Sequence, residues 1–195
     1  MALHLSDYGY RAQHEIRQSL RRTVPPSSAP VSLDEVKRAL DLGDDTGSDD
    51  ELAELIPAAV DMVERDVQRA LMTQTWELTL DAFPCEIELR MPPVIAVTSV
   101  KYTDTAGDEQ TVSTSDYYTD LTTAPGRIWP VEMWPTDVSC DRPNAVNVVF
   151  TAGYPGSIPR VAWLAIMAAV KALYNGCEPG DAYWAMIDRL RWGPT

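Results

Sequence analysis

Hydrophobic positions along the chain change period several times, and those changes mark out its architecture. Over the first 30 residues no period holds. Arg11, Arg17, Arg21 and Arg22 are scattered among polar residues, and residues 23–30 (TVPPSSAP) carry three prolines and two serines. That composition cannot continue a helix and favours an extended linker, so residues 1–30 are expected to form an arm whose order requires a partner. At Val31 a helical period begins: Ser32 stands as N-cap with Glu35 three residues later, a capping box, and Leu33, Val36, Lys37 and Leu40 follow until Gly43. After the turn DDTGS (44–48), Ser48 or Asp49 caps a longer helix that the pattern carries to about Leu71. Its apolar stripe is Leu52, Leu55, Ile56, Ala59, Val60, Val63 and Val67. Asp49, Asp50 and Glu51 in the first turn and Arg65 and Arg69 near the end suit the helix dipole, and Pro57 predicts a kink.

From Thr73 the period switches to two. The segments 75–80 (TWELTL), 85–90 (CEIELR), 94–102 (VIAVTSVKY), 109–112, 117–119, 127–129 and 145–151 (AVNVVFT) are predicted strands, separated by turns such as DTAGD (104–108) and Pro125-Gly126. The helical period returns at Pro159 and lasts to about Asn175, and Asp181 caps a last short helix through Arg191. The predicted class is α+β: a helical bundle of two N-terminal and two C-terminal helices with an inserted antiparallel β region of short strands. An extended N-terminal arm (1–30) and a C-terminal tail complete the chain. The domain 31–195 divides into 31–72 helical, 73–152 β, 158–191 helical and 192–195 tail.

Length and composition narrow the function classes. The chain has 195 residues, 45 % of them hydrophobic and 23 % charged, ordinary proportions for one well-cored domain. Its 16 Lys+Arg against 29 Asp+Glu give a net charge of −13, which disfavours a sequence-reading nucleic-acid binder and a peripheral binder of anionic membrane. The charge is uneven: +2 over residues 1–30, −10 over 31–81 and −5 beyond. Residues 161–174 are the most apolar run, but 14 residues fall short of the roughly 17 needed to span a bilayer, so a buried core helix is expected there. Residues 1–10 lack an apolar stretch of signal-peptide length.

Candidate chemistry is sparse. The two histidines, His4 and His14, lie in the arm, where no preorganised Ser-His or Cys-His arrangement is expected, and neither a GxxxxGK[ST] nor a GxGxxG segment occurs. The acids Asp44, Asp45, Asp49, Asp50 and Glu51 suggest a hard cation. However, a calcium loop starting at Asp41 would need a glycine at Thr46 and a glutamate at Leu52. Cys85, Cys140 and Cys177 are odd in number, widely spaced and expected to be buried, reduced structural thiols. No cofactor, metal or catalytic residue is predicted. Six Trp and eight Tyr against two Phe are more informative, because Trp and Tyr suit surfaces that are apolar yet partly wet. Trp76 and Trp163 are expected in the core, whereas Trp129, Trp134 and Trp192 are candidates for partner contact.

The segments LDEVKRAL, VERDVQRAL before QTWELTLD, PPVIAVTSVKYTDTAGDEQT, SDYYTD, PGRIWP, RPNAVNVVFTAGYP and IPRVAWLAIMAAVKALY occur in that order between Leu33 and Tyr174. In their order they resemble the head-tail connector (adaptor) family of tailed phages, in the variant with a sheet inserted between helical pairs. The resemblance implies a homo-oligomer, a twelve-fold ring below the portal protein of a DNA-filled head. There it forms the attachment site for the tail or its completion, stopper or terminator proteins, and DNA passes through the lumen without sequence-specific binding. It implies location in the virion neck after assembly in the host cytoplasm, no membrane and no catalytic residues. The arm 1–30 and the acidic stretch 41–54 depart from the family pattern. Interface candidates are Arg11, Arg17, Arg21, Arg22, Trp129, Trp134, Arg189, Arg191 and Trp192, the C-terminal ones expected on a frayed tail against the portal. The alternatives are another neck or tail ring protein such as a tail terminator, or a small-ligand-binding or enzymatic α+β domain with a pocket between the sheet and the 161–174 helix.

Overall fold

The computed structural model describes residues 16–191. Strand β1 (Gln18–Val24) opens the described chain, followed by helices α1 (Leu33–Ala39) and α2 (Asp49–Val67). Seven strands come next: β2 (Gln74–Leu80), β3 (Ile87–Leu89), β4 (Val94–Thr103), β5 (Glu109–Thr111), β6 (Tyr117–Asp120), β7 (Gly126–Pro130) and β8 (Val146–Ala152). Helices α3 (Arg160–Tyr174) and α4 (Asp181–Leu190) close it, so the class is α+β as expected.

The helices share one core. Ser32 and Glu35 form the expected capping box at α1. Leu52, Ile56, Val60 and Val63 of α2 pack on Ala162, Ala165, Ile166 and Ala169 of α3, with Tyr183 and Ile187 of α4 completing the cluster. The alanines on α3 let the two long helices approach closely. Lys37, nearly buried, reaches from α1 to Asp49 in the first turn of α2 at 2.7 Å. α2 runs continuously through Pro57, whose ring lies on the exposed side, where water can meet the carbonyl it leaves without a donor. The helix ends at Val67 instead of near Leu71, because Gln68 turns into the left-handed region at φ 55°.

The strands build two antiparallel sheets, one of five in the order β1-β2-β8-β4-β5 and one of three in the order β3-β7-β6. Their second core takes Leu78 and Leu80 from β2 and Val146, Val148 and Phe150 from β8. The small sheet adds Ile87, Leu89 and Ile128. Period two accounts for this directly: Leu78 lies opposite Val148 and Leu80 opposite Val146, while Glu77, Thr79 and Asn147 between them face outward.

Strand β1 corrects the sequence reading of the arm at residues 18–24. Gln18–Val24 is not held by a foreign partner; it pairs antiparallel with β2, Gln18 opposite Leu80 and Arg22 opposite Trp76. Leu20 packs onto the sheet core. Arg21 bonds Glu77, and Arg22 points towards α2, meeting Asp61 at 2.9 Å and Glu64 and Gln74 at 3.4 and 3.3 Å.

Glu64 is the centre of the joint between the helices and the large sheet. Only 3 % exposed, its carboxylate accepts the Leu71 backbone N–H and the Gln74 side-chain N–H, both at 2.7 Å, besides the Arg22 contact. Burial pushes its pKa up, against the pull of those donors and of Arg22. Around it three chain segments cross: Ala70 N–H donates to Pro92 O, Gly153 N–H to Pro93 O, and Met72 bridges to Tyr154. Gly153 sits at φ +117°, and a Cβ there would fall 2.0 Å from Met72 O, so only glycine fits.

Two outcomes follow. Gly153→Ala should lose more than about 2 kcal/mol of unfolding free energy in urea, against near neutrality for Gly156→Ala, which meets open space. Glu64→Ala, which strands the Leu71 and Gln74 donors and Arg22, should cost about 3 kcal/mol. Because the folded state holds the Glu64 proton more tightly than the unfolded state does, the stability from that proton is full below 4.5 and is lost as pH rises through the raised folded value. Wild type should therefore lose stability relative to Glu64→Gln on going from pH 4 to 8, and a difference that stays flat would contradict this.

Candidate functional site

The small sheet presents two unlike faces. Ile87, Leu89, Ile128 and Tyr117 point into the core and are buried. On the outward face Glu88, Arg127 and Asp120 lie in one row across the three strands, and Trp129 stands opposite Tyr118 in the next. The ladder continues past β7, with Val131 N–H donating to Asp116 O. Tyr118, Val131 and Met133 are 61 %, 42 % and 71 % exposed, so this end of the sheet carries a cluster of apolar side chains open to solvent. Acids surround it. The Trp129 indole donates to Glu86 at 3.0 Å, and Arg127 lies within 3.6 and 3.9 Å of Glu86 and Glu88.

Beside the cluster a cleft of about 660 Å³ opens between residues 111–116 and 131–136. Trp134 forms one wall, stacked on Phe83 with centroids 4.6 Å apart, and Phe83 meets Tyr102 edge-on. Burial and the neighbouring Asp137, which accepts the Tyr102 hydroxyl at 3.1 Å, push the Tyr102 pKa up and keep it protonated. Part of the polar lining is a turn: Ser113 and Ser115 share a bond of 2.8 Å, and Ser115 donates to Asp116 at 3.0 Å; Thr111, Glu132 and Thr136 add to it. The lining holds two carboxylates, Asp116 and Glu132, and neither an imidazole nor an amine.

The structure disperses the residues singled out from sequence. Arg11 and Trp192 lie outside the described residues. Arg17 is exposed just ahead of β1, while Arg21 and Arg22 are engaged by Glu77 and by the Asp61–Glu64–Gln74 group. Trp129 and Trp134 share the small-sheet end. Arg189 is exposed on α4, in a regular helix rather than a frayed tail, and Arg191 is tied back to α2 through the Asp66 carbonyl at 3.0 Å. The same junction holds Tyr183, which donates to Asp66 at 2.6 Å, and Leu190, whose carbonyl accepts Arg69 Nε at 2.6 Å. Burial, then Asp66, raises the Tyr183 pKa. All three cysteines are exposed and free, contrary to the buried thiols expected, because each sits in a loop between elements instead of on an inward face. Of the expected core tryptophans, Trp76 and Trp163 are half-buried; Trp163 packs on the helical core with the Arg160 guanidinium 3.8 Å above its ring. Tyr118, Val131 and Met133 were not singled out by sequence reasoning. Their signal is the alternation in DYYTD and WPVEMW, which sets one apolar residue of each pair outward.

No family model matches the sequence, and no curated protein does. Solved structures match well. A chain of the neck of an empty GTA particle, computed with C6 symmetry, superposes with a TM-score of 0.75 at 24 % identity over 91 % of this chain and 97 % of that one. A chain of the virion of a native gene transfer agent (GTA) particle gives 0.74 at 24 % identity over 90 % and 96 %. One from the neck of a native GTA particle, computed with C12 symmetry, gives 0.71 at 23 % identity over 91 % and 97 %. At these identities the likeness is one of fold, and it extends over nearly the whole length of both chains.

Replacing Tyr118 and Met133 together by serine should change the unfolding free energy by less than about 1 kcal/mol, since both already face water. Ile128→Ala on the opposite face should cost about 2–5 kcal/mol. Equal losses in urea denaturation would show that the faces are assigned wrongly.

Proposed function

We propose that this chain is a structural subunit of the neck of a tailed-phage-like particle, a head-tail connector that forms a ring beneath the portal and joins the DNA-filled head to the tail. The observation that carries the reading is the fold match to neck chains over almost the full length of both partners. The C6 and C12 symmetries of those necks support a closed ring, with twelve subunits as the simplest count. An acidic chain suits a wall past which DNA slides, because like charge keeps phosphates from adhering. The apolar end of the small sheet suits contact with a neighbouring neck protein, and residues 192–195, with Trp192 next to Arg191 in the sequence, suit contact with the portal.

Cryo-electron reconstruction of particles carrying this chain should place it as a ring between portal and tail. Location further along the tail axis would assign it instead as a tail terminator, and its absence from particles would sink the reading. Deletion from Trp192, outside the contacts that Leu190 and Arg191 make with α2, should leave thermal unfolding unchanged and reduce head attachment at least about tenfold.

A further inference from the structure

The outer faces of the two long helices are complementary to each other. α2 and α3 pack through Leu52, Ile56, Val60 and Val63 on one and Ala162, Ala165, Ile166 and Ala169 on the other, so the sides turned away from this seam point in opposite directions. On α3 that outer side carries Arg160, Leu164, Ala168 and Lys171, with Leu164 42 % exposed. A helix apolar on both sides is ordinarily covered on both. Neither Arg160 nor Lys171 forms an ion pair among the described residues; Arg160 lies over Trp163, at the rim of a cleft that it shares with Glu35. On α2 the outer side carries Asp50, Glu51, Glu54, Ala58 and Asp61, all exposed. Among the described residues Asp50, Glu51 and Glu54 pair with no cation, and only Asp61 is engaged, by Arg22. The spacings agree: Arg160 to Lys171 and Asp50 to Asp61 are each eleven residues, about 16 Å of helix. Ala58 leaves room opposite a leucine-sized side chain.

We infer that the outer face of α3 docks on the outer face of α2 of the next copy of this chain, Leu164 against Ala58, with Arg160 and Lys171 set against the acids of α2. The inference rests on the ring reading and names the contact that would close it. Acid against acid repels, so two α2 faces do not pair. The complementary faces point opposite ways on each subunit, and the contact is head-to-tail, the kind that generates rings.

The test uses the full chain in particles, with Cys85, Cys140 and Cys177 changed to serine. Ala58→Cys combined with Leu164→Cys should give, on mild oxidation, a ladder of covalent multimers on a denaturing gel that neither single variant gives. Separately, Lys171→Glu should lower incorporation into particles about tenfold, and adding Glu51→Lys in the same chain, at a position as far from Ala58 as Lys171 is from Leu164, should restore it to within about threefold. Circular dichroism should show both variants folded. If reconstruction places a ring in the neck but the cysteine pair forms no ladder, stops at a dimer, or links to another particle protein, the contact is wrong and the ring reading stands. Failure of Glu51→Lys to restore incorporation also overturns it. A folded wild-type chain absent from particles overturns both.

Discussion

A buried carboxylate that must be satisfied from three directions organises this chain. Taken out of water, Glu64 is tolerable only because Leu71 N–H, Gln74 and Arg22 donate to it, and these lie on the connector after α2, on β2 and on β1. The position of α2 relative to the large sheet is thereby fixed by charge as well as by apolar packing. The same demand explains the early end of α2: the chain must leave helical geometry at Gln68 for the Leu71 amide to turn back onto the helix that precedes it. With that turn in place, Met72 is set against Gly153 so closely that no side chain fits between them.

Two cores on either side of this joint divide the work of the molecule. The helical core is rich in alanine and joins all four helices, while the strand core locks a small sheet against a large one. Phe150 and Tyr183 fill the two cores, while the tryptophans lie on walls and edges: Trp134 on Phe83, Trp129 on Glu86, Trp163 under Arg160. A fold arranged in this way offers shaped, charged outer faces, the kind of surface on which macromolecules meet.

Much of this was legible in the sequence because local rules and tertiary demand agree. The Ser32–Glu35 box, the stripe Leu52–Ile56–Val60–Val63 and the alternation through 145–151 each state their element without reference to anything distant. Where the demand is remote, the sequence is silent. QSLRRTV carries two adjacent arginines and precedes a proline-rich stretch, so it resembles an arm; its pairing is decided by Glu77, by Glu64 and by the free edge of β2, none of which is near it in the chain. The end of α2 was misplaced for the same reason, since VQRAL has good helix-forming residues and only the buried acid ends the helix there. The outward cluster at Tyr118, Val131 and Met133 went unseen because β6 and β7 are too short for their face to be read without the register.

The pairing of β1 with β2 also has a bearing on how the chain is made. Thr23 meets Thr75 and Ser19 meets Thr79, residues 52 and 60 apart, with both early helices lying in between. During synthesis β1 emerges long before the strand that will hold it, and closing so long a loop at random is slow and entropically unfavourable. Folding α1 and α2 into a compact hairpin shortens that search, and Arg22 on β1 meets Asp61 and Glu64 already displayed on α2. The basic character of the first strand thus acts as a tether within the monomer, covering the edge of β2 with the chain's own residues and making β1 the edge of the sheet.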